Sequence, residues 1–190
     1  MSLGVIFGRV QSLWDRGRGG RRLDSTASNT LSPRASRPYI PGYGVPGSEE
    51  GMLPWEHVTS KLAGAKNYWI CTATRDGAPH CTPIWGAYLE GVLYLEGSPR
   101  TRRGRDIARN PHVAVHLESG DDVVILEGVA EEVIPDSDLA QKLAAAMGSK
   151  YEGYQPEPEQ WAEGGLYRIT PKVVFAWTQF PTDATRWTFE

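Results

Sequence analysis

A chain of 190 residues with 40% hydrophobic and 23% charged side chains is long enough to bury one substantial core. No apolar run approaches the ~18 residues a membrane-spanning helix needs, so a soluble, cytoplasmic protein without a membrane partner is expected. The net charge of −3 is uneven: seven of the 20 basic and only four of the 23 acidic residues fall in the first fifty. The acidic remainder argues against general nucleic-acid binding.

Residues 1–40 read as a flexible basic extension. Val5, Ile6, Val10, Leu13 and Trp14 suit one short amphipathic helical piece, and the arginine- and glycine-rich run after Trp14 gives way to Ser/Thr/Pro-rich sequence that lacks the apolar content of a core. The acid-poor composition resembles an organellar presequence, but Asp15 and the glycines weaken that reading. No apolar segment follows Arg21-Arg22, as a twin-arginine signal would require. The folded domain is expected over residues 41–190.

Pro54 suits a first helical position, and Trp55, Val58 and Leu62 recur at helical spacing to about Ala65. Strands are predicted over 67–74, 79–89, 92–97, 112–119 and 122–133, with turns at Asp76-Gly77 and Glu90-Gly91. Asp136 or Ser137 caps a helix whose Leu139, Leu143 and Met147 share a face and which Gly148 ends. Final strands are predicted over 165–170 and 173–178. Many short strands with few helices indicate a mainly β, antiparallel barrel rather than a doubly wound sheet.

The richest segment is Gly97-Ser98-Pro99-Arg100-Thr101-Arg102-Arg103-Gly104-Arg105-Asp106-Ile107-Ala108-Arg109-Asn110-Pro111. Thr101 is placed to cap a short helix, leaving first-turn amides free to face an anion. Arginines beside a helix start are electrostatically unfavourable unless something anionic binds there, and a phosphate satisfies both groups. The plain alternative is a solvated basic face. Against it stands the acidic body, in which this cluster is a local positive spot suited to a small anion.

An aromatic strand, an Asp-Gly turn, the strand Pro79-His80-Cys81-Thr82-Pro83-Ile84-Trp85, a second Gly turn and then Thr101-Arg102-Arg103-Gly104-Arg105-Asp106-Ile107 with Asn110-Pro111 follow in order. This order resembles the pyridoxamine 5'-phosphate oxidase-like flavin and deazaflavin oxidoreductases. The likeness runs from about residue 37 to 190 and includes Pro41-Gly42-Tyr43-Gly44, Leu53-Pro54-Trp55 and Thr185-Arg186-Trp187-Thr188-Phe189. It implies a split β-barrel, a homodimer with FMN (or the deazaflavin coenzyme F-420) at its interface, and hydride transfer to a small organic substrate.

By the same resemblance, Arg103, Thr101 and Arg105 bind the cofactor phosphate with Arg100 or Arg102 assisting, and Thr82, Pro83, Ile84 and Trp85 line the ring. Arg186 and Trp187 pack near the cofactor of this or the partner subunit; His80, on the strand along the ring, suits contact with substrate or a neighbouring carbonyl, with a purely structural role as the plainer alternative. The family usually has Ser-Arg-Lys-Ala-Arg-Asn-Leu where this chain has residues 101–107, so Arg103 replaces the customary lysine and Gly104 an alanine. Surplus arginine suits the anionic tail of the deazaflavin, whereas the acidic body leans towards FMN.

Other chemistries find little support. The chain has no Gly-x-Ser-x-Gly elbow, no phosphate loop ending Gly-Lys-Ser/Thr and no Gly-x-Gly-x-x-Gly after a strand. Cys71 and Cys81 lie on opposite arms of the Asp76-Gly77 hairpin, so a disulfide is conceivable, although cysteines in a chain without a secretion signal usually stay reduced. Adding His80 makes no zinc site, and no metal is expected. His112 and His116 read as ordinary strand packing. The remaining rivals are a non-catalytic flavin or haem carrier or sensor of the same fold, and a nucleic-acid module using the N-terminal arginines.

Overall fold

The computed structural model describes residues 21–22 and 33–189; residues 1–20 and 23–32, on which most of the flexible-extension expectation rests, lie outside the described residues. Two short strands, β1 (Arg21–Arg22) and β2 (Arg34–Ser36), precede α1 (Trp55–Gly64). β3 (Tyr68–Ala73), β4 (Pro79–Ile84), β5 (Gly86–Leu89) and β6 (Val92–Glu96) follow, then α2 (Arg102–Ile107) and β7 (His112–His116). β8 (Val123–Ile134), α3 (Ser137–Lys150), a 3-10 turn (Pro158–Trp161), β9 (Leu166–Trp177) and β10 (Thr185–Thr188) complete the order.

The strands form one 10-stranded sheet running β2-β10-β9-β8-β7-β3-β4, antiparallel throughout this path. β6 pairs with the first half of β9, and β5 pairs with β6. The ladder therefore bends round until its two ends, β4 and β5, are consecutive in the chain. They do not pair with each other; the chain itself joins them through Trp85, and the barrel stays split along that seam. At the seam Trp85 accepts a hydrogen bond from Glu96 N–H at 3.1 Å. Gly86 is required beside it, because a Cβ there would lie 2.3 Å from the Tyr94 carbonyl oxygen.

Alternation decides what lies inside. Tyr68 and Ile70 of β3 point inward to Val58 and Leu62 of α1, with Leu93, Val115, Leu126, Ile169 and Val174 completing one core. A second core lies under α3, where Leu143 and Met147 pack on Val133, Trp161 and Leu166.

Several sequence expectations shift. The single strand predicted over 79–89 breaks at Trp85, where the chain passes from one sheet edge to the other. The two strands predicted at 165–170 and 173–178 are one strand, because Lys172 is the extra residue of a bulge opposite Glu127 and Gly128. α3 passes through Gly148 to Lys150, where Tyr151 provides the anchor. The cap of α3 is Asp136, which accepts from Leu139 N–H at 2.8 Å. β2 and β10 were not expected as strands.

Candidate anion and ring site

Thr101 caps α2 as its sequence suggests, accepting from Gly104 N–H at 3.1 Å while its own hydroxyl donates to Ser98 O at 2.8 Å. The helix is only six residues long, so its dipole is small and the positive character comes from the guanidinium groups. Gly104 lets the helix lie directly on the preceding loop: a Cβ would sit 2.5 Å from Pro99 Cα.

Arg103 turns back from α2 across Gly97, where a Cβ would collide with its Nη2 at 2.3 Å, and donates from Nη1 to Thr82 Oγ1 at 3.0 Å. Its Nε is buried without a hydrogen-bond partner, and no carboxylate among the described residues forms an ion pair with it. Burial holds this guanidinium below its usual range, opposed by nearby Tyr167. The Tyr167 hydroxyl is itself buried without a partner, and burial raises it. A half-buried cation without a counter-ion is costly, and an anion beside it would offset that cost.

The guanidinium borders a cavity of about 330 Å3 lined by Asn67, Pro83, Ile84, Trp85, Glu96 and Arg103. The Trp85 ring, 42% exposed, stacks on Tyr151 with centroids 4.4 Å apart and planes 11° apart. Glu96 accepts from Tyr154 Oη at 2.6 Å and Gln160 Nε2 at 2.9 Å; burial raises its carboxyl above the usual range, against those hydrogen bonds. Lys150 donates to Tyr68 Oη at 3.0 Å and Gly86 O at 3.2 Å, and burial lowers its ammonium.

The structure thus brings together Thr82, Pro83, Ile84, Trp85, Thr101 and Arg103. Two other arginines of the cluster, Arg102 and Arg105, turn elsewhere. Arg102 reaches Asp106 at 3.7 Å and Pro79 O at 3.3 Å, and Arg105 donates to Arg100 O at 2.7 Å. His80 shares the face of Thr82 but does not line the cavity. Arg186 lies on the outer sheet face opposite Phe175. Trp187, expected near the cofactor, is a core residue, 1% exposed and 5.5 Å from the Trp55 ring, because the alternation of β10 sends it inward. Asn67 and Glu96 were missed in sequence as site residues; they lie at the start of the strand predicted over 67–74 and near the end of that over 92–97, and only the curvature of the sheet brings them to one cavity.

On the opposite face of β3 and β4, Cys71 and Cys81 are cross-strand partners with free thiols 3.0 Å apart.

A family model described as Pyridoxamine 5'-phosphate oxidase matches residues 55–178, and the chain belongs to that family. Among solved structures, a conserved hypothetical protein of Mycobacterium tuberculosis is 23% identical, with 66% of this chain and 85% of that one covered at a TM-score of 0.57. The haem storage protein HutZ of Vibrio cholerae is 20% identical over 66% of this chain and 94% of that one, with a TM-score of 0.54. General Stress Protein 26 of Bacillus anthracis is 24% identical over 64% and 91%, with a TM-score of 0.52. These likenesses establish the split-barrel fold. Comparison with curated proteins gives no match.

Proposed function

We propose that the protein is an oxidoreductase using FMN or the deazaflavin coenzyme F-420, with Arg103 as the anchor for the coenzyme phosphate. The observation that carries this reading is the half-buried Arg103 guanidinium, whose Nε lacks a partner and which no carboxylate neutralises. A phosphate oxygen there supplies the missing acceptor and the missing charge, and the planar fork suits bidentate contact.

The residues present fit such a group. Arg103 and Thr82 hold its anionic end, Thr101 keeps α2 in place beneath Arg103, and Pro83, Ile84 and Trp85 offer an apolar edge to a ring. The bound coenzyme supplies hydride transfer. The chain's own part is to bind, orient and exclude water. A cavity of about 330 Å3 is at the low end for a cofactor site, so a second protomer is needed to cover the ring. The outer sheet face carries half-exposed Ile125, Val173, Phe175 and Trp177 for that contact, which supports a homodimer.

The reading is tested by purifying the protein from a host lacking the deazaflavin. A yellow protein releasing FMN, or a colourless one that takes up added F-420, supports it. The loaded protein is then given quinone, tetrapyrrole and oxygen acceptors. Binding without electron transfer to any acceptor favours a carrier or sensor over an enzyme.

A further inference from the structure

We propose that Cys71, Cys81 and His116 form a three-ligand site for zinc(II) on the outer face of β3, β4 and β7, separate from the Arg103 cavity. The two sulfurs and a ring nitrogen of His116 all lie within 4.8 Å of one another. Each ligand comes from a different strand. Cys71 and Cys81 are direct partners across β3 and β4, while His116 pairs with Trp69, two positions along β3 from Cys71 and on the same face.

The His116 ring is held by a main-chain contact. His116 Nδ1 lies 2.8 Å from the Leu117 carbonyl oxygen, which accepts only from a protonated nitrogen and so leaves Nε2 with its lone pair. The ring also lies parallel to Trp69, with planes 7° apart and centroids 6.1 Å apart. Two thiolates and one imidazole are a zinc donor set with a fourth position open to water or another ligand.

The third ligand decides between this reading and a simple thiol-disulfide pair, which would make no use of an oriented imidazole. Zinc coordination requires no oxidant. Each thiol that binds loses its proton to solvent, so uptake is accompanied by proton release and strengthens as pH rises.

The test is a titration of the tag-free, full-length, reduced and metal-stripped protein with zinc chloride against a chromophoric chelator, together with cobalt(II) as a spectroscopic probe. The expected result is one zinc per chain, a thiolate-to-cobalt charge-transfer band, and proton release. Cys71→Ser and His116→Ala should each weaken zinc binding at least about tenfold, with circular dichroism confirming the fold. The exposed Cys81→Ser gives a third variant least able to disturb packing. Zinc affinity unchanged in His116→Ala, absence of zinc binding by the reduced protein, or isolation of the chain with a Cys71–Cys81 disulfide that reforms after reduction would each overturn the site. None of these outcomes bears on coenzyme binding at Arg103.

Discussion

The Tyr151 hydroxyl holds both main-chain polar groups of Gly86, accepting from its N–H at 2.9 Å and donating to its carbonyl at 3.0 Å. Gly86 begins β5 directly after the seam, and the same tyrosine ring stacks on Trp85. One residue at the end of α3 thus fixes the backbone where the barrel splits and the rim of the candidate ring site.

Tyr151→Phe keeps the stacking surface and deletes the hydroxyl. The carbonyl retains Lys150 Nζ at 3.2 Å, whereas the N–H is left buried and unpaired. The expected loss is about 1–3 kcal/mol, read by urea denaturation. A variant as stable as the parent would show that water replaces the hydroxyl.

Gly104→Ala tests the seating of α2. Alanine favours helix by about 1 kcal/mol, but its Cβ would meet Pro99 Cα at 2.5 Å and Pro99 O at 2.6 Å, both main-chain atoms. The clash should dominate, giving a net destabilisation of about 1–3 kcal/mol in thermal and urea melts.

Asp183 sets an acid limb to stability. Burial alone would raise its carboxyl, but the Thr178 hydroxyl at 2.6 Å and the N–H groups of Thr178 and Gln179, each at 2.9 Å, outweigh it and hold it below the usual range. A group lowered in the folded state contributes fully above its unfolded value of 3.8 and loses that contribution as pH falls through the folded value. Stability should therefore decline below about pH 4, and Asp183→Asn should flatten that decline while lowering stability at neutral pH. An unchanged pH profile in the variant would remove Asp183 from the account.

What the sequence makes legible here is local. Thr101 as a cap, the Asp76-Gly77 and Glu90-Gly91 turns and the α1 stripe depend on neighbours within a few residues, and all are found. Gly77, Glu90 and Gly91 take the positive φ values of 89°, 51° and 82° that such turns need. The break at Trp85 is hidden because strand-like residues continue on both sides of it. Trp187 could be placed on either face of a short strand, and only the pairing of β10 with β9 turns it inward. The arginine cluster is visible as charge, but that Arg103 crosses Gly97 to Thr82 while Arg102 turns to Asp106 depends on contacts the barrel brings together. Cys71 facing Cys81 can be read from one hairpin; His116 arrives through the non-local pairing of β7 with β3.

The most direct measurement is the dissociation constant of the coenzyme for the parent protein, Arg103→Ala and Arg103→Lys, determined by fluorescence titration at fixed ionic strength with FMN and with F-420. Loss of a half-buried, charge-assisted contact typically costs about 1.5–3 kcal/mol, equivalent to roughly 10- to 150-fold in affinity. Arg103→Ala should therefore weaken whichever coenzyme binds by at least about tenfold, and Arg103→Lys, which keeps the charge without the fork, should fall between. Equal affinity for the parent and Arg103→Ala would contradict the proposal that this guanidinium holds the phosphate.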